Sequence, residues 1–312
     1  MIYNTKVYLA PMAGVADAVF RKIVSAYGNA VPFTEMISAK ALHYDDRKTL
    51  ALLPGADEGK MIVQIFGHEP EILAEASVKV APYATEININ MGCPMPKIEG
   101  NGDGCALMKN PDLASKCVEA VKKAVSLPVT VKFRMGIESE TSPEFAKAME
   151  SAGADKIYIH GRTKEQLYSG KADLSAIRRV KESVKIPVVG NGDIFSATDA
   201  ENMLKTTGVD EIMVGRGCLG NPFLFREIDH YFKTGELLPV ATADERIEVC
   251  KRHLMLAIEK KGELRGILES RKHLAWYLKS IRGAAKIRNA LFTSENPKEV
   301  IEMVDSLKEA NI

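Results

Sequence analysis

Two residues with reactive side chains stand in segments that are otherwise apolar or rich in glycine. Lys132 interrupts the apolar run Val129-Thr-Val-Lys-Phe, and Cys93 lies in the segment Asn90-Met-Gly-Cys-Pro. Because an unpaired buried charge is costly, Lys132 needs a partner. One such partner is the N1/C2=O edge of a flavin, which becomes negative on reduction. A Schiff-base lysine and a lysine paired with a neighbouring carboxylate are the alternatives.

The spacing of the cysteines indicates free thiols rather than a metal site. Cys93 could be a nucleophile, a general acid or an inert core thiol. No two of the 5 cysteines have the Cys-x-x-Cys spacing of a zinc ribbon or a redox dithiol, so we expect no metal site. We interpret the other four as structural, namely Cys105, Cys117, Cys218 and Cys250.

Two short segments could bind a phosphate, Gly190-Asn-Gly-Asp193 and Gly215-Arg-Gly217. Glycine lets backbone N–H groups approach an oxyanion closely, and Arg216 adds a forked cation. Tight turns without a ligand are the alternative. His160 likewise could donate a hydrogen bond to a cofactor or be a satisfied core histidine.

The elements that must position these residues are short apolar runs that alternate with helix-like stretches. We predict strands at Val7–Ala10, Phe33–Met36, Met61–Phe66, Glu86–Asn90, Val129–Phe133, Lys156–His160, Pro187–Gly190 and Glu211–Gly215. The helix-like stretches include Glu71–Val80, Pro111–Val125, Pro143–Ala152 and Ala197–Lys205. This alternation predicts an α/β fold, a (β/α)8 TIM barrel, with an open doubly wound sheet as the alternative. The candidate residues follow strand ends, which meet at one mouth of a barrel.

The chain after the barrel predicts helices only. Thr242-Ala-Asp-Glu245 is a capping box, and further helical stretches run over Leu264–Ala290 and Pro297–Ala310. We therefore predict a catalytic barrel over residues 1–237 and a small all-helical C-terminal domain over residues 238–312.

The net charge of the whole chain hides a local excess of positive charge. With 42 Lys+Arg and 41 Asp+Glu the chain carries +1, which by itself argues against a polyanionic partner. Residues 265–290 nevertheless hold seven basic residues and one acidic residue, a net charge of +6, so the remainder carries −5. Lys279, Arg282 and Lys286 have the spacing of one helical face. RNA contact is one interpretation, supported by the nearby Trp276 and Tyr277, and a solvated helix with two core aromatics is the other.

Taken together, the motifs resemble those of the tRNA-dihydrouridine synthases over essentially the whole chain. The motifs are Ala10-Pro-Met-Ala-Gly-Val15, Gln64-Ile-Phe-Gly67, Asn90-Met-Gly-Cys-Pro94 with Lys97, Gly102-Asp-Gly104, Val131-Lys-Phe-Arg134, His160-Gly-Arg-Thr-Lys-Glu-Gln-Leu-Tyr-Ser-Gly170, Asn191-Gly-Asp-Ile194 and Val214-Gly-Arg-Gly217. Two positions depart from the family pattern. Leu174 stands where a tryptophan is common, and Cys105 stands where a small residue such as alanine is common.

The resemblance implies FMN as the cofactor. By that resemblance the residues that pack against the isoalloxazine are Pro11, Met12 and Ala13. The residues that hydrogen-bond to the ring and ribityl region are Gln64, Lys132 and His160. The residues that hold the phosphate end are Asn191, Gly192, Asp193, Gly215 and Arg216.

The resemblance also implies the reaction, reduction of the C5=C6 bond of a uridine in tRNA with NADPH or NADH as reductant. A hydride passes from flavin N5 to C6 of the uracil, and the cysteine that protonates C5 is Cys93 here. Asn90 and Arg134 are candidates for binding the uracil edge, and Lys279, Arg282 and Lys286 for binding the tRNA. The base is expected to leave the RNA stack to reach the mouth.

Two other functions are compatible with parts of the sequence. One is an FMN barrel oxidoreductase that acts on a free pyrimidine or other small molecule, as in dihydroorotate dehydrogenase. The other is a non-catalytic RNA-binding module on a decayed barrel, against which the intact strand-end residues argue. The N-terminus lacks a secretory pattern and no apolar run approaches ~18 residues, so we expect a cytoplasmic protein that does not bind membranes.

Overall fold

The computed structural model describes residues 3–309, and strands alternate with helices up to Val214. The strands are β1 (Val7–Leu9), β2 (Ile37–Ser38), β3 (Met61–Phe66), β4 (Ala84–Met91), β5 (Val129–Gly136), β6 (Lys156–Thr163), β7 (Val188–Asn191) and β8 (Glu211–Val214). They pair in parallel in the order β1-β8-β7-β6-β5-β4-β3-β2. A parallel bridge between Tyr8 and Val31 joins β1 to the segment before β2 and closes the ring. The predicted (β/α)8 barrel is confirmed.

The second strand differs from the prediction of Phe33–Met36. The regular strand is Ile37–Ser38, and Phe33 forms only an isolated bridge to Ile62. Between them the Thr34 hydroxyl, rather than its backbone carbonyl, accepts the hydrogen bond from the Gln64 N–H at 3.0 Å. This side-chain contact interrupts the ladder, so the segment does not form a continuous strand.

Helices follow most strands, and several begin with proline. They are α1 (Ala18–Ser25), α2 (Ala39–His43), α3 (Arg47–Leu50), α4 (Pro70–Val80), α5 (Pro96–Glu99), α6 (Pro111–Ala124), α7 (Ser142–Ser151), α8 (Leu174–Ser183), α9 (Ala197–Thr207), α10 (Leu224–Thr234), α11 (Ala243–Lys261), α12 (Glu263–Tyr277), α13 (Ala284–Leu291) and α14 (Pro297–Glu309). Proline occupies the first turn of α4, α5, α6 and α7, where its missing N–H group costs no hydrogen bond. No helix within residues 3–309 is both long enough and apolar enough to cross a membrane.

Part of the barrel interior is an aromatic and aliphatic core. Tyr158 packs edge-on against Tyr8, with ring centroids 5.2 Å apart, and against Phe33, at 5.1 Å. Ile62 and Met213 belong to the same buried cluster. Buried polar side chains also lie inside the barrel, among them Gln64, Asn88 and Asn90, which is unusual for a barrel core.

Contacts divide the chain into two compact units, which we call the barrel unit and the tail unit. The barrel unit comprises residues Tyr3–Ala18 and Ala30–Gly215. The tail unit contains Val19–Asn29 and the chain from Arg216 onward, and its buried core includes Ile23 and Phe223. Residues 216–237, which we assigned to the barrel, therefore group with the tail.

The tail is all-helical, but one predicted helix is two. Over Leu264–Ala290, α12 ends at Tyr277 and α13 begins at Ala284, and Ser280 and Gly283 between them have φ of 68° and 80°. Such left-handed residues cannot continue a right-handed helix. The prediction that Lys279, Arg282 and Lys286 lie on one helical face is therefore wrong: Lys279 and Arg282 lie in the turn and Lys286 in α13.

The start of α11 and the start of α14 agree with the prediction. The capping box at the start of α11 is confirmed, since Glu245 N–H donates to Thr242 Oγ1 at 3.2 Å and Thr242 N–H donates to Glu245 Oε2 at 2.8 Å. The final helix, α14, starts at Pro297 as predicted. Its predicted last residue, Ala310, lies outside the described residues.

Candidate active site

A column of polar side chains occupies one side of the barrel interior. Glu86, Asn88 and Asn90 alternate along β4 and are buried, so their side chains share its inward face. In the strand register Gln64 of β3 lies beside Asn88, and Lys132 of β5 lies beside Asn90. The parallel register therefore gathers residues that are far apart in the sequence.

Amide hydrogen bonds connect this column to Cys93. Gln64 Nε2 donates to Asn88 Oδ1 at 2.8 Å, and Asn90 Nδ2 donates to Gln64 Oε1 at 2.9 Å. Asn90 Oδ1 accepts from the backbone N–H groups of Gly92 at 3.1 Å and Cys93 at 2.9 Å. Gln64 is 0% exposed, so it lies beneath the surface of the mouth and supports Asn90.

The segment 92–104, here called the Cys93 loop, holds a protonated thiol. Cys93 is 8% exposed, and burial raises the pKa of its thiol above the ordinary value. The Cys93 carbonyl accepts from Cys105 N–H at 3.1 Å. Gly104 has φ of +59°, and a Cβ at this position would lie only 2.8 Å from Cys93 O. The loop therefore requires glycine at position 104 to pack against Cys93.

Arg134 connects the Cys93 loop to the loop after β6. Its Nε donates to Gly92 O at 3.0 Å, and its Nη1 donates to Thr163 O at 3.0 Å and to Leu167 O at 2.9 Å. The side chain is buried. Asn90 and Arg134, the two predicted uracil-binding residues, are thus both bonded to the backbone beside Cys93.

Lys132 is a half-buried lysine with a weak partner. Its Nζ donates to Asn191 Oδ1 at 3.3 Å, and no carboxylate within residues 3–309 lies at ion-pair distance from it. Burial, and secondly the charge of Arg134, lowers the pKa of Lys132 to about 7. The structure therefore shows no carboxylate pair for Lys132, and an anionic ligand would stabilise its charged form.

The segments after β7 and β8 contain glycines at positions where the backbone conformation or the space beside it matters. Gly192 has φ of +140°, and a Cβ there would lie 2.5 Å from the Cβ of Ala172. A Cβ on Gly215 would have only ordinary contacts, with Ala10 Cβ at 3.7 Å, so space lies beside its backbone. Arg216 follows directly in the sequence and starts the one-turn helix Arg216–Cys218 of the tail unit.

Asp193 is held by a residue that the sequence prediction missed. Arg162 Nη2 donates to both Asp193 carboxylate oxygens, at 2.8 and 2.7 Å, and Ala172 N–H donates to Asp193 Oδ2 at 2.7 Å. Arg162 is 1% exposed and also donates to Gly170 O at 2.8 Å. The pair fixes the β7 segment against the loop after β6.

The missed residues share a signal that was available in the sequence. Tyr158 and Arg162 stand two residues before and after the predicted His160 on β6, and Glu86 and Asn88 precede the predicted Asn90 in steps of two on β4. A period of two places such residues on one face of a strand, and the opposite face must be apolar to pack against helices. Polar residues at alternate positions therefore indicate an inward polar face.

The remaining predicted cofactor residues lie at the same end of the barrel. Pro11, Met12 and Ala13 follow the C-terminal end of β1, and Met12 is partly buried against the aromatic core. His160 is buried on β6 and pairs in register with Arg134 and Asn191.

Metal binding finds no support among the described residues. Within residues 3–309 no group of three or more His, Cys, Asp and Glu side chains is arranged to hold an ion. All five cysteines are buried free thiols.

A closed barrel with a protonated thiol, a half-buried lysine and glycine-dependent loops at the C-terminal mouth of its strands defines a (β/α)8 barrel enzyme. Comparison with known proteins narrows this class. Residues 8–311 match the model of the Dihydrouridine synthase (Dus) family. The chain belongs to the dihydrouridine synthase family, and it is an oxidoreductase.

Curated relatives match over most of their length. A Rickettsia conorii protein called a probable tRNA-dihydrouridine synthase is 40% identical, and the match covers 99% of this chain and 96% of the relative. A Synechocystis protein called probable tRNA-dihydrouridine synthase 1 is 41% identical, with 97% and 86% covered. The Shewanella oneidensis tRNA-dihydrouridine synthase B is 41% identical, with 88% and 87% covered.

Proposed function

We propose that this protein reduces the C5=C6 bond of a uridine in tRNA to give 5,6-dihydrouridine. The family match and the names of its relatives support this reaction class. The observation that carries the proposal is the protonated thiol of Cys93, held at the mouth by bonds from Asn90 and Arg134 to its own segment.

FMN fits the residues at the mouth. Lys132 is a half-buried lysine whose one hydrogen bond within the described chain is to a neutral amide, so an anionic ring edge would improve its environment. His160 and Asn191 are adjacent polar groups in the register, and space lies beside the backbone of Gly215. Pro11, Met12 and Ala13 supply apolar atoms beside them. Arg216 remains our prediction for the phosphate end.

Lys132 and Cys93 have different roles in the proposed reaction. When bound, FMN supplies the hydride that is added to C6 of the uracil, and NADPH or NADH is the proposed reductant. Lys132 stabilises negative charge at the flavin edge, because its own charged form is disfavoured without a partner. Cys93 holds the proton that is delivered to C5, since burial keeps the thiol protonated at neutral pH.

Other polar residues hold the segments of the mouth in position and do not react themselves. Gln64 supports Asn90, which binds the backbone of Cys93, and Arg134 binds the backbone of Gly92. Asp193 accepts two bonds from Arg162, so its carboxylate orients the β7 segment. These contacts favour positioning roles over direct binding of uracil or phosphate.

Exposed basic residues of the tail unit are the proposed contacts for the RNA. Lys279, Arg282 and Lys286 are exposed although they do not share one helix face. Tyr277 is buried and bonded to His253, so of the two tail aromatics it belongs to the core. We propose that the three cations contact tRNA phosphates and that the protein acts in the cytoplasm.

The first test removes the proton donor. Cys93→Ala should retain FMN and NADPH oxidation but lose dihydrouridine formation by roughly 10²- to 10⁴-fold, the usual contribution of a general acid. Dihydrouridine in tRNA is measured by mass mapping, and FMN by the visible spectrum. Cys117→Ala, which removes a fully buried thiol of α6, is the matched control and should stay active.

Two outcomes would contradict the proposal. Full activity of Cys93→Ala would exclude Cys93 as the proton donor. A wild-type protein that reduces a free pyrimidine but leaves tRNA unmodified would instead support the small-molecule FMN oxidoreductase.

A further inference from the structure

Glu86 is a buried carboxylate at the base of the barrel, the end opposite the mouth. It lies near the start of β4 and is 8% exposed. A cavity of about 390 Å³ is lined by Glu86, Thr130 and Lys156, among others. At a strand rise of roughly 3.3 Å per residue, about 13 Å of β4 separates Glu86 from Asn90 at the mouth. Glu86 is therefore too distant to contact the Cys93 loop directly.

The Glu86 carboxylate accepts two hydrogen bonds from hydroxyl groups. Thr130 Oγ1 donates to Glu86 Oε1 at 2.7 Å, and Tyr158 OH donates to the same oxygen at 2.8 Å. Burial raises the pKa of Glu86, while the hydroxyl of Thr130 and the charge of Lys156 oppose this shift. An ionised carboxylate can only accept hydrogen bonds, so the charged form holds both hydroxyl protons towards itself.

A chain of hydrogen bonds leads from the Thr130 hydroxyl to the Cys93 backbone, and every donor in it points towards the base. Asn88 Nδ2 donates to Thr130 Oγ1 at 2.8 Å, and Gln64 Nε2 donates to Asn88 Oδ1 at 2.8 Å. Asn90 Nδ2 donates to Gln64 Oε1 at 2.9 Å, and Cys93 N–H donates to Asn90 Oδ1 at 2.9 Å. Each amide thus donates towards the base and accepts from the side of the mouth.

The direction of this chain is fixed at its base. An amide side chain has a donor on one side and an acceptor on the other, so turning one amide by half a turn would place two donors or two oxygens face to face. A buried mismatch of that kind costs the free energy of an unsatisfied polar group, so one amide cannot turn without the others. Because the Glu86 carboxylate cannot donate, it excludes the reversed chain.

The direction matters at the mouth because Asn90 holds the backbone of Cys93. In the observed direction Asn90 Oδ1 accepts from the N–H groups of Gly92 and Cys93. In the reversed direction the amide of Asn90 would present its own N–H groups to these two donors. The Cys93 loop would then have to shift, and a shift of about 1 Å at a reacting group can cost ~10²-fold in rate.

We propose that Glu86 is a positioning residue for Cys93: acting through the side chains between them, it fixes the Asn90 amide with its oxygen towards the Cys93 N–H. The proposal rests on the proposed function, in which Cys93 is the proton donor. It adds to that function a residue at the opposite end of the barrel, which acts on the thiol only through other side chains.

The experiment removes single groups of the chain from the flavin-loaded enzyme. Thr130→Val breaks the chain directly above Glu86, and Thr130→Ser restores the hydroxyl. Glu86→Leu removes the acceptor, and a double variant combines Glu86→Leu with Thr130→Val. Tyr158→Phe is the matched control, because it removes the other buried hydroxyl that donates to Glu86 but lies outside the chain. The readouts are kcat and KM for dihydrouridine formation in tRNA, FMN content and melting temperature.

A positioning role predicts a specific pattern. Thr130→Val and Glu86→Leu should each lower kcat by about 10- to 100-fold, with KM for tRNA and FMN content unchanged. The double variant should lose no more than either single variant, because all three break the same chain. Thr130→Ser should recover most of the activity. Tyr158→Phe should lose as much melting temperature as Thr130→Val, since each removes one buried hydrogen bond to Glu86, but should keep kcat within about twofold.

Three results would overturn the inference. A Thr130→Val protein with the kcat of the wild type would show that the chain does not position Cys93. Losses of kcat that multiply in the double variant would show that Glu86 and Thr130 act independently. A loss of kcat in Tyr158→Phe equal to that in Thr130→Val would assign the effect to the packing around Glu86. Wild-type protein that forms no dihydrouridine would reject the proposed function itself, which distinguishes the two failures.

Discussion

At the scale of single residues, Lys132 shows how a functional group costs stability. Its pKa of about 7 in the folded chain compares with about 10.4 in an unfolded chain. Because the unfolded chain binds more protons between these values, the stability of the flavin-free protein should fall as the pH falls from about 10 towards 7. Binding of the proposed anionic flavin edge would offset this cost.

Replacing Lys132 by methionine should separate the two effects. Lys132→Met is expected to raise the melting temperature of the flavin-free protein at pH 7 by roughly 2–6 °C, because a desolvated charge is removed. FMN affinity should fall at least ~10-fold, because a charged hydrogen bond is lost. Thermal unfolding between pH 7 and 10 and flavin titration measure both.

The control lysine lies at the start of β6, the strand that pairs with β5. Lys156 is paired with Glu211 at 2.8 Å, so Lys156→Met should lower the melting temperature and leave FMN affinity unchanged. A Lys132→Met protein that is less stable than the wild type, or that binds FMN equally well, would contradict the role given to Lys132.

At the scale of elements, the barrel strands place side chains and the loops orient them. Gly104 is the glycine of the Cys93 loop that lies against Cys93, because it combines a left-handed φ with a contact to the Cys93 carbonyl. Neither feature follows from β4 itself. The orientation of the thiol is thus decided by a residue eleven positions further along the chain.

Gly104→Ala should lower dihydrouridine formation more than it lowers stability. A left-handed alanine costs about 1–2 kcal/mol, and the clash with Cys93 O displaces the thiol. Displacement of a reacting group by about 1 Å can cost ~10²-fold in rate. Gly208→Ala, at φ of +70° with nothing within 4 Å of the added Cβ, carries the same backbone penalty without the clash.

Comparison of these two variants separates the effect of moving the thiol from the backbone penalty that both variants carry. We expect similar losses of melting temperature for both and a loss of activity only for Gly104→Ala. Equal activity in the two variants would show that Gly104 does not orient Cys93.

At the scale of the whole molecule, the distribution of charge matters more than its sum. The chain carries +1 in total, but residues 265–290 carry +6. Lys279, Arg282 and Lys286 are exposed in the turn after α12 and in α13. A polyanionic substrate responds to this local excess rather than to the average.

Reversing Lys279, Arg282 and Lys286 to glutamate should weaken tRNA affinity at least ~10-fold at low salt. It should also reduce the slope of log affinity against log salt by about 3, one for each lost phosphate contact. Filter binding over a salt series measures both quantities.

A second triple variant with the same change in net charge tests whether the location of the reversed cations matters. Lys116, Lys147 and Lys185 are exposed on or beside α6, α7 and α8. Reversing them changes the net charge equally and should leave the salt slope unchanged. An equal effect of both triple variants would mean that only the net charge matters.

Much of the barrel could be predicted from the sequence because its signals are local. Apolar runs separated by helical stretches indicated the eight strands, and the capping box of Thr242 and Glu245 indicated the start of α11. The second strand was misplaced because a contact from Thr34 to Gln64, thirty residues away, interrupts it. The break at Ser280 and Gly283 was missed because helical spacing alone gave no sign of left-handed residues there.

The sequence by itself determined the family, the order of the elements and which residues stand at strand ends, because strand period, turn residues and motif spacing are properties of short segments. Only the tertiary structure decided which of those residues are bonded to one another. Gln64, Asn90, Arg134 and Asp193 bond to partners on other strands or loops. Such bonds arise from the register and closure of the barrel, which bring together groups that no local pattern connects.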